Sequence, residues 1–301
     1  MGLNNQFWKI LRVLTTNSCN YECVYCHNEG QAEKGKGEMI TVENFLRFYH
    51  IAEKTGIREV RFSGGEPLVN KDTLKMIEWL NENSEVEIGL ATNGSLVNED
   101  IAQRLGRTRT MVTLHFPGVG NENYYSVTKR NWKSFEQCVE LFDKYDVDYS
   151  FNYTLFPNTI ECLEDVIKYS IQKGKRIKLL PFLDSNFSNC SQQYIDRIKV
   201  DLSSLRCDYQ YFDREGVNIW TFSSGGIVKM IDSPCYKKNI ELCKEYGEIR
   251  LLPDLSLMNC IFGKNVSTND KSDEEIQALL NELFDEMKSC EKVIVAQKGK
   301  I

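Results

Sequence analysis

The sequence predicts an α/β fold, a partial (β/α)6 barrel of the TIM type over residues 1–195, with a small C-terminal α+β extension over 196–301. Three observations predict it. Apolar, strand-like runs alternate with amphipathic helical stretches six times over residues 7–182, which is the pattern of parallel β/α units. The unusual residue groups fall just after those runs, at the strand ends where β/α barrels carry their sites. After about residue 184 the rhythm stops, and short strand-like runs interrupted by cysteines replace it.

The elements follow in order. Residues 7–15 (FWKILRVLT) read as a buried strand. Thr41 is a natural N-cap for a helix that runs to Gly56, with Phe45, Phe48, Tyr49 and Ile51 as its apolar side. Strands are expected at 58–63, 86–92, 110–116, 147–155 and 176–182. Helices are expected between them at 71–83, 99–105, 132–145 and 160–173, the last stopping at Gly174. Residues 185–225 are polar and show no repeat. Short strands are expected at 225–231, 248–252 and 256–260. Residues 270–288 form an amphipathic helix with Ile276, Leu279, Leu280, Leu283, Phe284 and Met287 on one side.

Composition narrows the function classes. At 301 residues, 42% apolar and 27% charged, the chain can bury a sizeable core. A net charge of −6 argues against general nucleic-acid binding. No apolar run approaches the ~20 residues of a membrane span. The N-terminus lacks the basic start and apolar core of a signal peptide, so a cytoplasmic protein with no membrane partner is expected. Eleven cysteines in such a chain are not read as disulfides. Cys138, Cys162, Cys190 and Cys207 read as small buried hydrophobes. The other cysteines include two clusters, Cys19/Cys23/Cys26 and Cys235/Cys243/Cys260.

The first cluster, Cys19-x3-Cys23-x2-Cys26, follows the first strand. Three thiolates on one short loop can hold three corners of a cubic iron–sulfur cluster and leave its fourth iron open. Zinc is the alternative, with His27 as a fourth ligand, although adjacent Cys26 and His27 make a cramped tetrahedron. Ser63-Gly64-Gly65-Glu66-Pro67 follows the second strand, where paired glycines let backbone approach a ligand. Ala91-Thr92-Asn93-Gly94 follows the third. Taken singly, each of these two also reads as a plain turn.

The ordered combination resembles the radical S-adenosylmethionine (radical SAM) superfamily over roughly residues 8–184. The resemblance implies a 4Fe–4S cluster on Cys19, Cys23 and Cys26, with SAM chelating the open iron. It implies that Gly64, Gly65 and Glu66 bind the methionine end of SAM. Thr92 and Asn93 would lie near the ribose, Tyr25 beside the adenine, and Asn152 near the carboxylate or ribose. Reductive cleavage of SAM then yields a 5′-deoxyadenosyl radical that abstracts hydrogen from a small-molecule or peptide substrate. A flavodoxin or ferredoxin would supply the electron.

Cys235, Cys243 and Cys260 read as a zinc knuckle, as buried thiols, or as ligands of an auxiliary 4Fe–4S cluster. Residues 243–260 resemble the start of a SPASM or Twitch extension, a cysteine, a hairpin and another cysteine. Leu255 stands where that pattern has glycine. The layout is also similar to that of the GTP 3′,8-cyclases of molybdenum-cofactor synthesis, one of whose hairpin arginines Arg250 matches. Glu248 replaces the neighbouring arginine and the chain ends Gly-Lys-Ile rather than in paired glycines, so GTP is not the expected substrate.

Lys178, His115 and Arg250 are the candidate catalytic side chains. Lys178 is out of place in an apolar strand, because a buried unpaired ammonium is costly. Two other functions fit parts of the sequence. Cys26-His27-Asn28 resembles a motif variant of glycyl-radical-enzyme activases, and the cysteines alone fit a non-enzymatic zinc or electron-transfer protein.

Overall fold

The computed structural model describes residues 8–26, 37–155, 159–181, 202, 206–212, 217–231, 240–260 and 263–288. The six expected barrel strands form as β1 (Ile10–Leu14), β2 (Glu59–Ser63), β3 (Glu87–Thr92), β4 (Met111–His115), β5 (Tyr149–Leu155) and β6 (Arg176–Pro181). Each pairs in parallel with the next. Five more follow, β7 (Cys207–Phe212), β8 (Val217–Phe222), β9 (Ile227–Ile231), β10 (Glu248–Leu251) and β11 (Leu257–Met258).

The C-terminal strands do not form a sheet of their own. β9 pairs in parallel with β6, and β10 in parallel with β1. Strands from the C-terminal third therefore flank the six-strand set on both sides. β7 and β8 add antiparallel beyond β9, and β11 beyond β10. Among the described residues β9 and β10 do not pair with each other, so the sheet stays open.

Helices fill the crossovers: α1 (Val42–Ala52), α2 (Asp72–Asn83), α3 (Glu99–Gly106), α4 (Gly120–Thr128), α5 (Trp132–Lys144) and α6 (Leu163–Gln172). Thr41 caps α1 as expected, its hydroxyl accepting from the Asn44 amide at 3.2 Å. Asn98 caps α3 in the same way. Between sheet and helices lies the core, where Phe116 of the β4 end stacks on Phe135 of α5 at 4.9 Å and on Trp132 at 5.9 Å. A short helix, α7 (Ile240–Tyr246), precedes β10, and α8 (Asp273–Lys288) follows β11. The predicted stripe of α8 is buried at Ile276, Leu280, Leu283, Phe284 and Met287. It closes on the segment just before β1, where the Trp8 indole donates to Leu280 O at 2.9 Å and packs edge-on against Phe284.

Three features were not expected: the β7–β8 hairpin, α4 and the short helix α7. The β7–β8 hairpin lies where the sequence reads as polar and irregular. β7 (CDYQYF) is an edge strand exposed along most of its length, so no apolar alternation marks it. α4 (GNENYYSVT) buries Tyr124, Val127 and Thr128 and is otherwise polar, too narrow a stripe to read as a helix.

Candidate active site at the strand ends

The cysteine loop and the paired glycines are built as one piece. The Thr15 amide donates to Ser63 O at 2.9 Å, the Gly65 amide to Thr16 O at 2.8 Å and the Glu66 amide to Ser18 O at 2.8 Å. This stitching extends the β1–β2 ladder past the strand ends up to Cys19. It requires glycine: a Cβ on Gly65 would stand 2.1 Å from Ser18 O, and one on Gly64, whose φ is +133°, 2.4 Å from Thr16 O. The loop then turns tightly, with the Cys26 amide donating to Cys23 O at 3.0 Å.

Glu66 ties this piece to β3. It is 1% exposed, and its carboxylate accepts from Thr92 Oγ1 at 2.6 Å, the Asn93 amide at 2.8 Å and the Leu68 amide at 3.1 Å. Burial nevertheless lifts its carboxyl to about 6. Thr92 also accepts from the Gly94 amide. Asn93 donates to Asn20 Oδ1 at 2.9 Å and accepts from Ser95, and Asn20 donates to Ser95 Oγ, which closes a side-chain ring between cysteine loop and β3 end. Asn20 and Ser95 were not singled out in the sequence; short polar residues in turns carry no distinguishing signal.

The three cysteines fit a cubic cluster better than a single ion. Burial raises the Cys19 thiol, and pushes Cys23 up to about 12, with Cys19 and Cys26 adding to it. The three are thus close enough to repel as thiolates. Among the described residues no three His, Cys, Asp or Glu side chains converge on one metal-ion position, as tetrahedral zinc would need. A cubane asks for less, because each thiolate takes a separate iron. His27 lies outside the described residues.

Tyr25 turns inward from the loop. It is buried, its hydroxyl hydrogen-bonds His115 Nε2, and the rings meet edge-on at 5.5 Å. Burial lowers His115 to about 4, so it is a neutral imidazole near pH 7.

His115 begins a row of polar side chains across the inner face. It pairs in register with Asn152 on β5, Asn152 with Lys178 on β6, and Lys178 with Lys229 on β9. Arg250, Arg12 and Arg61 form a second row on β10, β1 and β2. The two rows face each other across a lumen. β1 and β6 are five strand spacings apart, roughly 24 Å in a flat sheet. Yet after burial, which lowers Lys178 to about 8, Arg61 and Arg12 push it the same way. Only a curled sheet brings these charges within reach.

The arginines are already paired. Arg12 holds Glu248 with two bonds of 2.9 and 2.7 Å, Arg61 holds Glu59 at 2.5 and 2.8 Å, and Arg250 reaches Glu248 at 3.0 Å. Arg61 also lies 3.6 Å from Glu248. Burial alone would raise the Glu248 carboxyl, but Arg12 and then Arg61 hold it below the usual carboxylate range. Glu59, Arg12 and Lys229 were missed as site residues. Their signal was present: each is a charge in a short, mostly apolar strand.

The late cysteines are partly visible. Cys243 sits in α7 and Cys260 just past β11, both half-buried, and Cys260 lies within electrostatic reach of Arg250. Cys235, like Cys190 and Cys290, lies outside the described residues. Leu255 has φ +64°, so the left-handed turn expected of glycine is kept by leucine. No described helix is long and apolar enough to cross a membrane.

A curled β/α sheet with a thiolate loop, a glycine cradle and a polar lumen at one end defines a barrel enzyme of cluster-and-cofactor chemistry. The Radical SAM superfamily model matches residues 13–170, and the chain belongs to that superfamily. Its members bind a 4Fe–4S cluster and cleave SAM reductively, and this chain is an enzyme of that kind. It is 29% identical to a probable GTP 3′,8-cyclase of Methanocella arvoryzae, over 90% of this chain and 87% of that one. It is 23% identical to a probable GTP 3′,8-cyclase of Methanothermobacter thermautotrophicus, over 91% and 92%. Among solved structures, Streptococcus suis SuiB bound to its precursor peptide SuiA superposes with a TM-score of 0.67 at 11% identity, over 93% of this chain and 65% of that one. A second, anSMEcpe with bound AdoMet, gives a TM-score of 0.51 at 24% identity, over 59% and 52%. These two structures show the fold.

Proposed function

We propose that the enzyme uses the radical from SAM to abstract hydrogen from a small-molecule or peptide substrate held in the barrel lumen. The observation that carries this is continuity. Cysteine loop, glycine cradle and β3 end form one hydrogen-bonded unit, and Tyr25 links that unit to His115 at the head of the lumen row. Cys19, Cys23 and Cys26 would hold the cluster. Gly64 and Gly65 would let backbone approach the methionine end of SAM, and Glu66 would position the turn that follows β3. Thr92, Asn93 and Tyr25 would border the nucleoside. When bound, cluster and SAM supply the one-electron cleavage that yields a 5′-deoxyadenosyl radical.

Residues 196–301 would form the extension, with Cys235, Cys243 and Cys260 as ligands of an auxiliary 4Fe–4S cluster on the far side of the substrate. Lys178, His115 and Arg250 would face the substrate. A flavodoxin or ferredoxin would deliver the electron. A second reading, GTP cyclisation, is favoured by the names of the curated relatives that match most of the chain. Glu59 and Glu248 inside the lumen weigh against a polyphosphate there.

The test is anaerobic reconstitution with iron and sulfide, then SAM and dithionite, with 5′-deoxyadenosine read by chromatography. The wild type is expected to release it and Cys19→Ala is not. A fully iron-loaded wild type that leaves SAM intact overturns the reading. Consumption of added GTP decides for the second one.

A further inference from the structure

We infer that Lys178 and Asn152 form the recognition point of the lumen, taking one carboxylate with an N–H or O–H donor beside it. This rests on the lumen being the substrate chamber. The inner face carries the cations Arg12, Arg61, Arg250, Lys178 and Lys229 and the acids Glu59 and Glu248. The arginines are engaged by the two acids through the ion pairs already described. Glu248, on β10, occupies the fork of Arg12, and Glu59 that of Arg61, much as a ligand carboxylate or phosphate would.

Lys178 differs. Among the described residues it makes no ion pair, and Glu59 and Glu248 act on it only at a distance. Beside it in register, Asn152 Oδ1 is buried with no hydrogen-bond partner. A partly buried ammonium without an ion pair, beside a buried amide oxygen without a partner, costs stability. A ligand that accepts from the first and donates to the second satisfies both. A carboxylate next to an N–H or O–H does this.

A phosphate monoester carries nearly two charges and three strong acceptor oxygens. It would favour arginine forks, and those of Arg12 and Arg61 are engaged. The carboxylate can come from a free amino or hydroxy acid or from an acidic residue of a peptide.

The experiment uses the cluster-loaded protein with SAM. Lys178 is acetylated by a brief pulse of acetic anhydride and quantified by mass spectrometry, with exposed Lys71 as the internal reference. The probes are L-alanine, lactate, an acetylated aspartyl peptide amide, L-alaninamide, inorganic phosphate and tripolyphosphate at equal ionic strength. At about ten times its Kd a carboxylate probe is expected to slow Lys178 labelling about tenfold. L-alaninamide and tripolyphosphate are expected to do nothing. L-alanine and lactate against the aspartyl peptide separates the two sources.

In Asn152→Ala the protection by acids should weaken about tenfold. In Glu248→Gln, which loosens Arg12 and Arg250, tripolyphosphate should begin to protect. Protection by none of the acids overturns the inference, as does stronger protection of the wild type by phosphates. Formation of 5′-deoxyadenosine is followed on the same preparation. Its absence would sink the functional reading, whereas intact cleavage with Lys178 unprotected sinks the carboxylate site alone.

Discussion

Gly65→Ala isolates what the glycine cradle does. The new methyl would stand 2.1 Å from Ser18 O and 2.4 Å from Ser18 C, both backbone atoms that cannot rotate away. The loop must lift, which breaks the bonds from the Gly65 amide to Thr16 O and from the Glu66 amide to Ser18 O. Two such bonds are worth about 0.5–1.5 kcal/mol each. The overpacking that remains costs about 1–3 kcal/mol. Together the substitution should destabilise by about 2–6 kcal/mol. The break falls next to Cys19, so iron retention should suffer along with stability. Urea midpoints and iron per chain after anaerobic reconstitution measure both. Gly225→Ala is the control: its φ is +88° but nothing lies within 4 Å of the added methyl. It should cost about 1–2 kcal/mol from backbone strain and leave iron unchanged. If Gly65→Ala matches that control in midpoint and iron, the loop is not held by this contact.

Other expectations concern the lumen and the late cysteines. Lys178→Met removes a buried ammonium whose folded pKa is depressed to about 8. The wild type should therefore gain stability as pH rises from about 8 toward 10.5, while the variant should be more stable at pH 7 by about 2–3 kcal/mol and lack that rise; an unchanged urea midpoint would contradict this. His115, depressed to about 4, binds fewer protons folded than unfolded between about 4 and 6.5. The stability it contributes is present above 6.5 and lost as pH falls toward 4, and His115→Asn should flatten that limb of the pH–midpoint curve. The double change Cys243→Ala, Cys260→Ala should remove about half the iron of a protein with two cubanes, from about eight to about four per chain. Iron that stays constant would rule out the auxiliary cluster.

Much of the fold was legible because its signals are local. The six barrel strands, the Thr41 cap and the α8 stripe are set by short-range periodicity and hydrogen bonding, and each lies within a few residues of its expected place. The cysteine and glycine motifs were legible for the same reason. Partnerships across the sheet were not. That Glu248 would lie in the fork of Arg12, or Lys178 beside Asn152, depends on which strands become neighbours. Sequence spacing carries no information about that. Glu248 stands where the resemblance has an arginine, yet its partner, Arg12, comes from a strand far away in the sequence. Leu255 shows the opposite case, where a departure from the expected glycine left the backbone turn in place.

The placement of β10 beside β1 has a consequence for biogenesis. Ile10 waits for Glu248 as its neighbour, so β1 keeps an open edge until β10 has been made. β6 waits in the same way for β9. Such distant pairings close late and slowly, and the nascent chain is open to edge-to-edge association meanwhile. The cysteine loop leads directly off β1, so its footing becomes rigid only after β10 has paired with β1. Cluster insertion after that pairing, rather than before it, is the order this topology favours.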